Sequence, residues 1–585
     1  MHREKKSGPE TSTEMQVAKY AGFTKCGARL LEGCILQMLS ARTGVGTVRG
    51  AAGDSNNWPV LDFETRAKAD AMVVVVTSRT LKLSFATATC LSLVYFSLVT
   101  NDHRPKLYFA NLDSTAQTYN AKNVDGIASY TTTSISYPPD YLVPKLDDEY
   151  CNALYSSRYL EHLASNHISY CEHGSQSDLE CFHTHNNESL CIATGVLLDP
   201  HRPEPQNKMA MHCQLRNFTS EAMQSPAAAR RLTGVLSVEH MQSGFFDTGV
   251  KQQLSHWNVT TQDENMRMNE SASCGIAGRG GKWTLLVRRE NHGNLWHRLM
   301  EIWQAMITLD ALQMSVDPSS GEPYLTTTDI SEMQIIFTGE DKGIVDEVDE
   351  LWTMINGRQP VLENEVDLVC LRKVILPLEG SSSPFWRSHW EERDCHNNFL
   401  LHAFLRRFYR HMNIVSAKNN NEDRGTNVTI IDRRGRRKIR DLDGLVARAR
   451  LRWPMVNFQL VDFAEIPLRN QVSLVQNTDV LLGMTGAGMT HVLWLPEESS
   501  LAEIQAPNKR LPEARPYTGF RNLAKTKGLH YFTAHSERRE GAGKWDWQSG
   551  EWVEVKEDVF QALLDAAINA QMHKGVHRGE VLPVR

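Results

Sequence analysis

Two rhythms of apolar and polar positions run through this chain. Beyond about residue 280, short apolar runs of four or five residues are interleaved with longer stretches whose apolar side chains recur every three to four positions. The first pattern fits a strand covered on both faces, the second a helix lying against it. Thr284–Val287 and Gln334–Phe337 are therefore read as buried strands, residues 294–312 as a long amphipathic helix and Leu351–Ile355 as a short one. The alternation restarts with a helix over Phe399–Met412, then strand Asn427–Ile431, helix Leu442–Leu451, strand Phe458–Val461 and a helix through Val472–Gln476. Strand Asp479–Leu482, a helix from Met489 to Leu495, strand Leu501–Ile504 and an amphipathic helix over Phe560–Met572 complete it. Strands separated by helices predict parallel sheets. Two such successions predict an α/β protein of two halves, 151–397 and 398–585, facing a cleft. Between Cys151 and Cys274 neither rhythm holds, and this part reads as an irregular, cysteine-tied region with short strands such as Ile192–Leu198.

Residues 83–100, LSFATATCLSLVYFSLVT, carry no charge over 18 positions, the short limit for a bilayer span, and Arg79 and Lys82 precede them. They are read as a signal anchor, after a disordered cytosolic tail over 1–82 and before a polar stem over 101–150. Their many Ser and Thr residues leave a buried core helix as the alternative. Eight of the eleven cysteines lie beyond the anchor, at 151, 171, 181, 191, 213, 274, 370 and 395, and their spacings suit no zinc template. An even number there predicts disulfides in an oxidising compartment. Five N-x-S/T sequons, at Asn187, Asn217, Asn258, Asn269 and Asn427, point the same way. The expectation is a single-pass type II protein of the endoplasmic reticulum or Golgi membrane with its folded part in the lumen. A chain of 585 residues with 41% hydrophobic and 23% charged residues has material for a large core, and its net charge of −6 gives no reason to expect nucleic acid as a partner.

Candidate chemistry concentrates in the second half. The stretch Leu482-Gly-Met-Thr-Gly-Ala-Gly-Met-Thr-His491 sets three glycines between a buried strand and a helix start. There the backbone can approach a ligand closely, and first-turn N–H groups favour an anion. The spacing is neither G-x-G-x-x-G nor a P-loop. Residues 432–440, DRRGRRKIR, crowd six basic side chains directly after a strand. In the first half, Asn294, His297 and Glu301 share one face of the predicted helix, aimed at the cleft. A capping Asn and a buried His–Glu hydrogen bond are the alternative for these three.

The stretch LGMTGAGMTHVLWLP over 482–496 with Ala502-Glu-Ile504, together with NHGNLWHRLME over 291–301, TIIDRRGRRKI over 429–439, and Gly519–Ala524 with His530–Phe532, resembles glycosyltransferase family 61. The motifs keep the family's order and span about half the chain. They are most similar to the branch that modifies EGF-like domains in the endoplasmic reticulum. The resemblance implies a GT-B-type fold of two Rossmann-like halves, acceptor side first and donor side second. It also implies inverting transfer of N-acetylglucosamine from UDP-GlcNAc to Ser or Thr hydroxyls of secreted or membrane protein domains, with no bound cofactor besides the donor. A family 61 transferase of another sugar, such as xylose, and a non-catalytic lectin-like or chaperone relative are the alternatives.

By residue match, Arg433 and Arg437 face the donor diphosphate. Gly486, Ala487 and Gly488 cradle it with N–H groups, Thr485 and Thr490 with hydroxyls and His491 with charge. Glu503 accepts the ribose hydroxyls, Asn294 and Arg521 orient acceptor or sugar, and Glu301 or His297 is the base. Thr485 stands where the family has His, and a hydroxyl supplies no imidazolium charge. No Asp-x-Asp stands at a strand end, so no metal ligand is assigned and a need for Mn or Mg ions is left open. Trp386 and Trp390 are candidates for stacking on a sugar or for packing a linker.

Overall fold

The computed structural model describes residues 137–574, apart from 143–146, 203–206, 243, 245–247, 261–281, 291–292, 340–342, 345, 388–390, 398, 416–424, 506–516 and 538–549. The tail, the expected anchor at 83–100, most of the expected stem, Asn269, Cys274 and Trp390 lie outside these. No helix among the described residues is long and apolar enough to cross a membrane.

The first sheet has nine strands. Helices α1 (Glu149–Tyr155) and α2 (Ser157–Ser165) lead into β1 (His167–Ser169), β2 (Leu179–His183), β3 (Ser189–Leu198), β4 (Met209–His212) and β5 (Trp257–Thr260). Next come β6 (Trp283–Val287), α3 (Leu295–Met314), β7 (Gln334–Phe337), β8 (Val361–Leu362) and β9 (Val369–Leu376). The order is β1-β2-β3-β9-β6-β7-β8, with β4 beside β3 and β5 beyond it. Strands β9, β6, β7 and β8 run parallel, while β1, β2 and β3 are antiparallel and join them through β3 and β9. The cysteine-rich stretch is thus no separate irregular region: it continues the parallel sheet antiparallel-wise. Cys181 and Cys191 face each other across β2 and β3 and are bonded, as are Cys171 and Cys213. Strand β9 escaped the sequence reading because Arg372 and Lys373 interrupt its apolar run. The Lys373 ammonium lies over the Trp283 ring at 4.7 Å, so its stem is covered while its charge finds an aromatic face.

The second sheet follows α4 (Phe399–His411) and is wholly parallel. Its elements are β10 (Asn427–Ile431), the short β11 (Lys438–Ile439), α5 (Leu442–Arg452), β12 (Asn457–Val461), α6 (Leu468–Gln476), β13 (Val480–Met484), β14 (Ser500–Gln505), α7 (Gly519–Thr526), β15 (His530–His535), the short β16 (Trp552–Val553) and α8 (Glu557–Met572). The order β12-β10-β13-β14-β15 is the 2-1-3-4-5 order of a doubly wound sheet, while β11 and β16 pair apart from it. The helix expected from Met489 is a 3-10 helix, Ala487–Trp494. Its glycine-rich start disfavours a regular helix, and Pro496 halts it within three turns. Leu351–Met354 is likewise a 3-10 turn.

Helix α3 differs most from its sequence reading. An amphipathic helix shows one face to water, yet sixteen of the twenty residues of α3 are buried. It is covered on nearly all sides, as a helix inside a large core must be. Trp303 stacks on Phe404 of α4 at 5.5 Å, Phe404 tilts against Phe408 at 6.4 Å, and Phe408 stacks on Trp494 of the 3-10 helix at 5.5 Å. One apolar core therefore runs from the first sheet to the second. Polar groups on α3 are paired accordingly. Asp310 receives both Nη atoms of Arg407, at 2.8 and 3.0 Å, and the Tyr141 hydroxyl at 2.6 Å. Arg407 also holds Asp140 at 2.8 Å. Residues 137–142, expected in a stem, are thereby packed onto the body.

The crossing between the halves, 391–397, is tied on both sides. Cys395 is bonded to Cys151 of α1, and Asp147 accepts the N–H groups of His396 and Asn397 at 2.7 and 3.1 Å. From the other half, Asn522 donates to the Glu391 carbonyl at 2.7 Å. The Cys151–Cys395 bond closes a loop of 244 residues. Replacing both cysteines with Ser is expected to cost about 3–5 kcal/mol of stability. The check is a lower urea midpoint, with a steeper slope because the unlinked denatured chain exposes more surface.

Candidate functional site

Each sheet reverses its direction of winding once. From β6 the chain moves outward to β7 and β8, then returns to β9 on the other side of β6; from β10 it moves to β12, then returns to β13. Crossovers leaving in opposite directions open a crevice at the carboxyl ends of such neighbouring strands. The residues selected from the sequence gather at these two places.

At the second switch point β10 ends in Asp432-Arg433 and β13 in Thr485-Gly486. Arg437 Nη1 donates to the Thr485 carbonyl at 2.8 Å. Gly486 has φ of 130°, and a Cβ there would stand 2.8 Å from the Arg437 guanidinium, so only glycine fits between arginine and loop. Arg437 itself takes the left-handed region at φ 59°, uncommon for a bulky side chain. It is held so by β16: Arg437 N–H donates to Gly550 O and Lys438 N–H to Glu551 O, both at 2.9 Å. Arg433 is half-buried, its Nε on the Arg436 carbonyl at 2.9 Å, and burial lowers its pKa, opposed by Asp462. Arg434 and Arg436 are exposed. Lys438 pairs with Glu551 at 2.7 Å and lies over Trp552 at 4.4 Å. Gly486, Ala487 and Gly488 are the partly exposed residues of the loop.

Four selected residues do not face that opening. Thr485 is buried, its side chain hydrogen-bonded to Glu503 rather than offered to a diphosphate. Thr490 is fully buried beneath the loop. His491 is 2% exposed, with Nδ1 2.7 Å from Gly488 O, Nε2 2.8 Å from Gln471 Oε1 and its ring stacked on Phe463 at 3.7 Å. Burial pushes its pKa down to about 4. It therefore braces the loop from behind rather than offering charge to an anion. Glu503 is inside β14, not at an exposed strand end, and is 0% exposed. Tyr531 donates to it at 2.7 Å and Gln505 at 3.4 Å.

At the first switch point β6 runs into Arg288-Arg289-Glu290 and β9 into Pro377-Leu378-Glu379-Gly380. Asn294 caps α3, its side chain accepting from Trp296 N–H at 3.0 Å, so it starts the helix rather than orienting a ligand. His297 is partly exposed, and its Nδ1 lies 3.0 Å from Glu290 Oε2. Its ring meets the edge of buried Trp386 at 4.3 Å. Glu301, expected on the same open face, is buried and accepts the Glu290 N–H. It borders a void of about 10 Å³ shared with Arg288 and Glu379, room for one water molecule and no sugar. The cleft-facing member of the predicted trio is thus His297. Arg521 points elsewhere, donating to Arg393 O at 3.0 Å and Asp394 at 2.9 Å, so it fastens the crossing segment.

Sequence reasoning missed Glu290 and Glu379. Each lies three residues past the end of a strand next to a switch point, a position that would have been a signal had β9 been recognised. The two switch points are linked through α3, which packs on the 3-10 helix, and through Trp296, whose ring meets Phe520 of α7 edge-on at 5.6 Å.

The two switch points thus gather charged residues: Arg433 and Arg437 at the second, and Glu290, Glu379 and His297 alongside Arg288 and Arg289 at the first. Residues 295–502 match the family model described as Glycosyltransferase 61. The matched stretch includes α3, the arginine run and the glycine loop. It is 29% identical over 168 residues to the EGF domain-specific O-linked N-acetylglucosamine transferase of Drosophila melanogaster, covering 28% of this chain and 30% of that protein. To the proteins of the same name from Mus musculus and Gallus gallus it is 32% and 30% identical over 142 residues, 24% of this chain and 25% of each relative. The matched region spans under a third of the length of these relatives.

Burial raises the Glu503 carboxyl above its ordinary 4.5, opposed by hydrogen bonds from Tyr531, Thr485 and Gln505. The folded chain then holds this proton more tightly than the unfolded chain. The group's favourable share is complete below pH 4.5 and is lost as pH rises through the folded value. Glu503→Gln removes that loss. Its melting temperature is expected to exceed the parent's at neutral pH, with the gap closing toward pH 4.5, as calorimetry across pH would record.

Proposed function

We propose that this protein transfers N-acetylglucosamine from UDP-GlcNAc to Ser or Thr hydroxyls of secreted or membrane protein domains, EGF-like domains in particular, with inversion at the sugar. The observation that carries the reading is the convergence of Arg433 and Arg437 on the Gly486–Gly488 loop at the second switch point, inside the matched segment. Two guanidinium groups beside exposed backbone suit a diphosphate, which must leave with an added negative charge. The scaffold is read as a GT-B-type pair of Rossmann-like halves, donor side second.

In the reaction the acceptor oxygen bonds to the anomeric carbon as the carbon–phosphate oxygen bond breaks. The electron pair departs on UDP, and the hydroxyl proton passes to a base. His297 suits that task better than Glu301, because its ring is partly exposed while the Glu301 carboxylate is occupied with the Glu290 N–H. The relatives' printed names supply the sugar and the acceptor class. Three disulfides between described residues favour an oxidising lumen, and residues 83–100 are proposed as the anchor that keeps the protein at that membrane.

UDP-GlcNAc is expected to raise the melting temperature of the lumenal region more than UDP-xylose does. Arg437→Ala should weaken UDP binding about 10- to 100-fold, the loss of a hydrogen bond to a charged group. Absence of any calorimetric signal with millimolar UDP would sink this reading.

A further inference from the structure

Behind His297 is a buried acid for which the reaction outlined above has not yet given a role. The Glu290 side chain is 0% exposed, and its two oxygens are engaged differently. Oε1 accepts the Ser381 N–H at 3.0 Å, just after β9, and Oε2 faces His297 Nδ1 at 3.0 Å. Glu290's own N–H is taken by Glu301 of α3. Gly380 closes this knot: a Cβ there would meet Glu301 Cγ and N at 2.9 Å and Glu290 Oε1 at 3.0 Å. Trp386 packs edge-on against the imidazole and restricts its rotation. Three elements, the end of β6, the turn after β9 and the first turns of α3, thus fix one carboxylate against one ring nitrogen.

We propose that Glu290 is a positioning residue that holds His297 with its proton on Nδ1, so that the Nε2 lone pair receives the proton of the acceptor hydroxyl. An ionised carboxylate only accepts, so the nitrogen facing it must carry hydrogen. As the sugar is transferred, the hydroxyl proton moves to Nε2 and the ring becomes cationic. The buried carboxylate 3.0 Å away balances that charge, and the ring later returns its proton to solvent. Burial raises the Glu290 pKa and the contact with His297 opposes the rise, so ring and acid depend on each other. The charged groups near Glu290 include, besides His297, Glu301 on α3, Glu379 after β9 and Arg288, which lines the same small void as those two carboxylates.

The inference rests on the sugar-transfer reading for its kinetics but not for its structure, and the test separates the two. In selectively 15N-histidine-labelled protein, the His297 signal, assigned by its loss in His297→Ala, is expected to be the Nδ1–H tautomer in the parent. In Glu290→Gln, whose amide can donate, it should shift toward Nε2–H. In transfer assays Glu290→Gln should lower kcat about 100-fold or more with donor KM within about threefold, and Glu290→Gln combined with His297→Ala should be no slower than His297→Ala alone. A parent Nε2–H tautomer, a kcat within about threefold of the parent, or a double variant that loses both factors in full would each overturn the proposal. If Glu290→Gln does not fold, the parent tautomer decides. If the parent transfers no sugar from any donor, the enzymatic reading fails and the tautomer still decides the role of Glu290.

Discussion

Everything in this fold is arranged around the burial of α3. A helix covered on nearly all sides cannot be satisfied by one sheet, so the chain must bring a second body onto its far side. The stack from Trp303 through Phe404 and Phe408 to Trp494 is how it does so. Burial of this kind also calls for opposite partners to the charges on the helix, which explains the Asp310–Arg407–Asp140 chain and the pairing of Arg298 with Asp346 and Asp349. Those pairs owe their value to geometry rather than to net stability, since separating one partner would strand a charge in the core. Because the first turns of α3 also carry His297 and Glu301, the packing that unites the halves is the packing that aims the site.

The division of labour between the two switch points follows from their surroundings. The second offers arginines and partly exposed backbone, the first offers carboxylates and an imidazole. An anion would be drawn to one and a proton to the other, which is the separation a displacement with an anionic leaving group needs. The same side-chain type serves different ends at each: Glu301 and Glu503 are both buried, yet one fixes a turn through a backbone N–H and the other is solvated by a tyrosine and a glutamine.

Many strands of both sheets were legible in the sequence because they run parallel with both faces covered. Gln334–Phe337 and Asn427–Ile431 appear as read, since a strand buried on both faces leaves an uninterrupted apolar run. Strands with a different exposure were missed or blurred. β15 is only half-covered along its length, and β9 contains two cations whose stems are shielded by neighbours no linear pattern reveals. For the site, spacing correctly put His297, Arg433 and Arg437 near strand ends. It could not foresee that His491, one turn past the glycines, rotates beneath the loop to meet Gln471, because that depends on α6 lying behind it. Nor could helical periodicity tell that Glu301, in register with His297, would curl back onto the Glu290 backbone.

The pairing of β11 with β16 has a consequence for the order in which the protein is completed. Arg437 is held in an uncommon backbone conformation by the carbonyl of Gly550, more than a hundred residues later. A ribosome that has delivered the whole parallel sheet has still not delivered the strand that sets this arginine. The nascent chain can therefore pair its five parallel strands while Arg437 still lacks the carbonyl that sets it, and α8, which covers the same sheet, follows only after that segment. The conformation of Arg437 thus depends on a segment made after the sheet it serves, so a chain cut after β15 would keep all five parallel strands yet lack it.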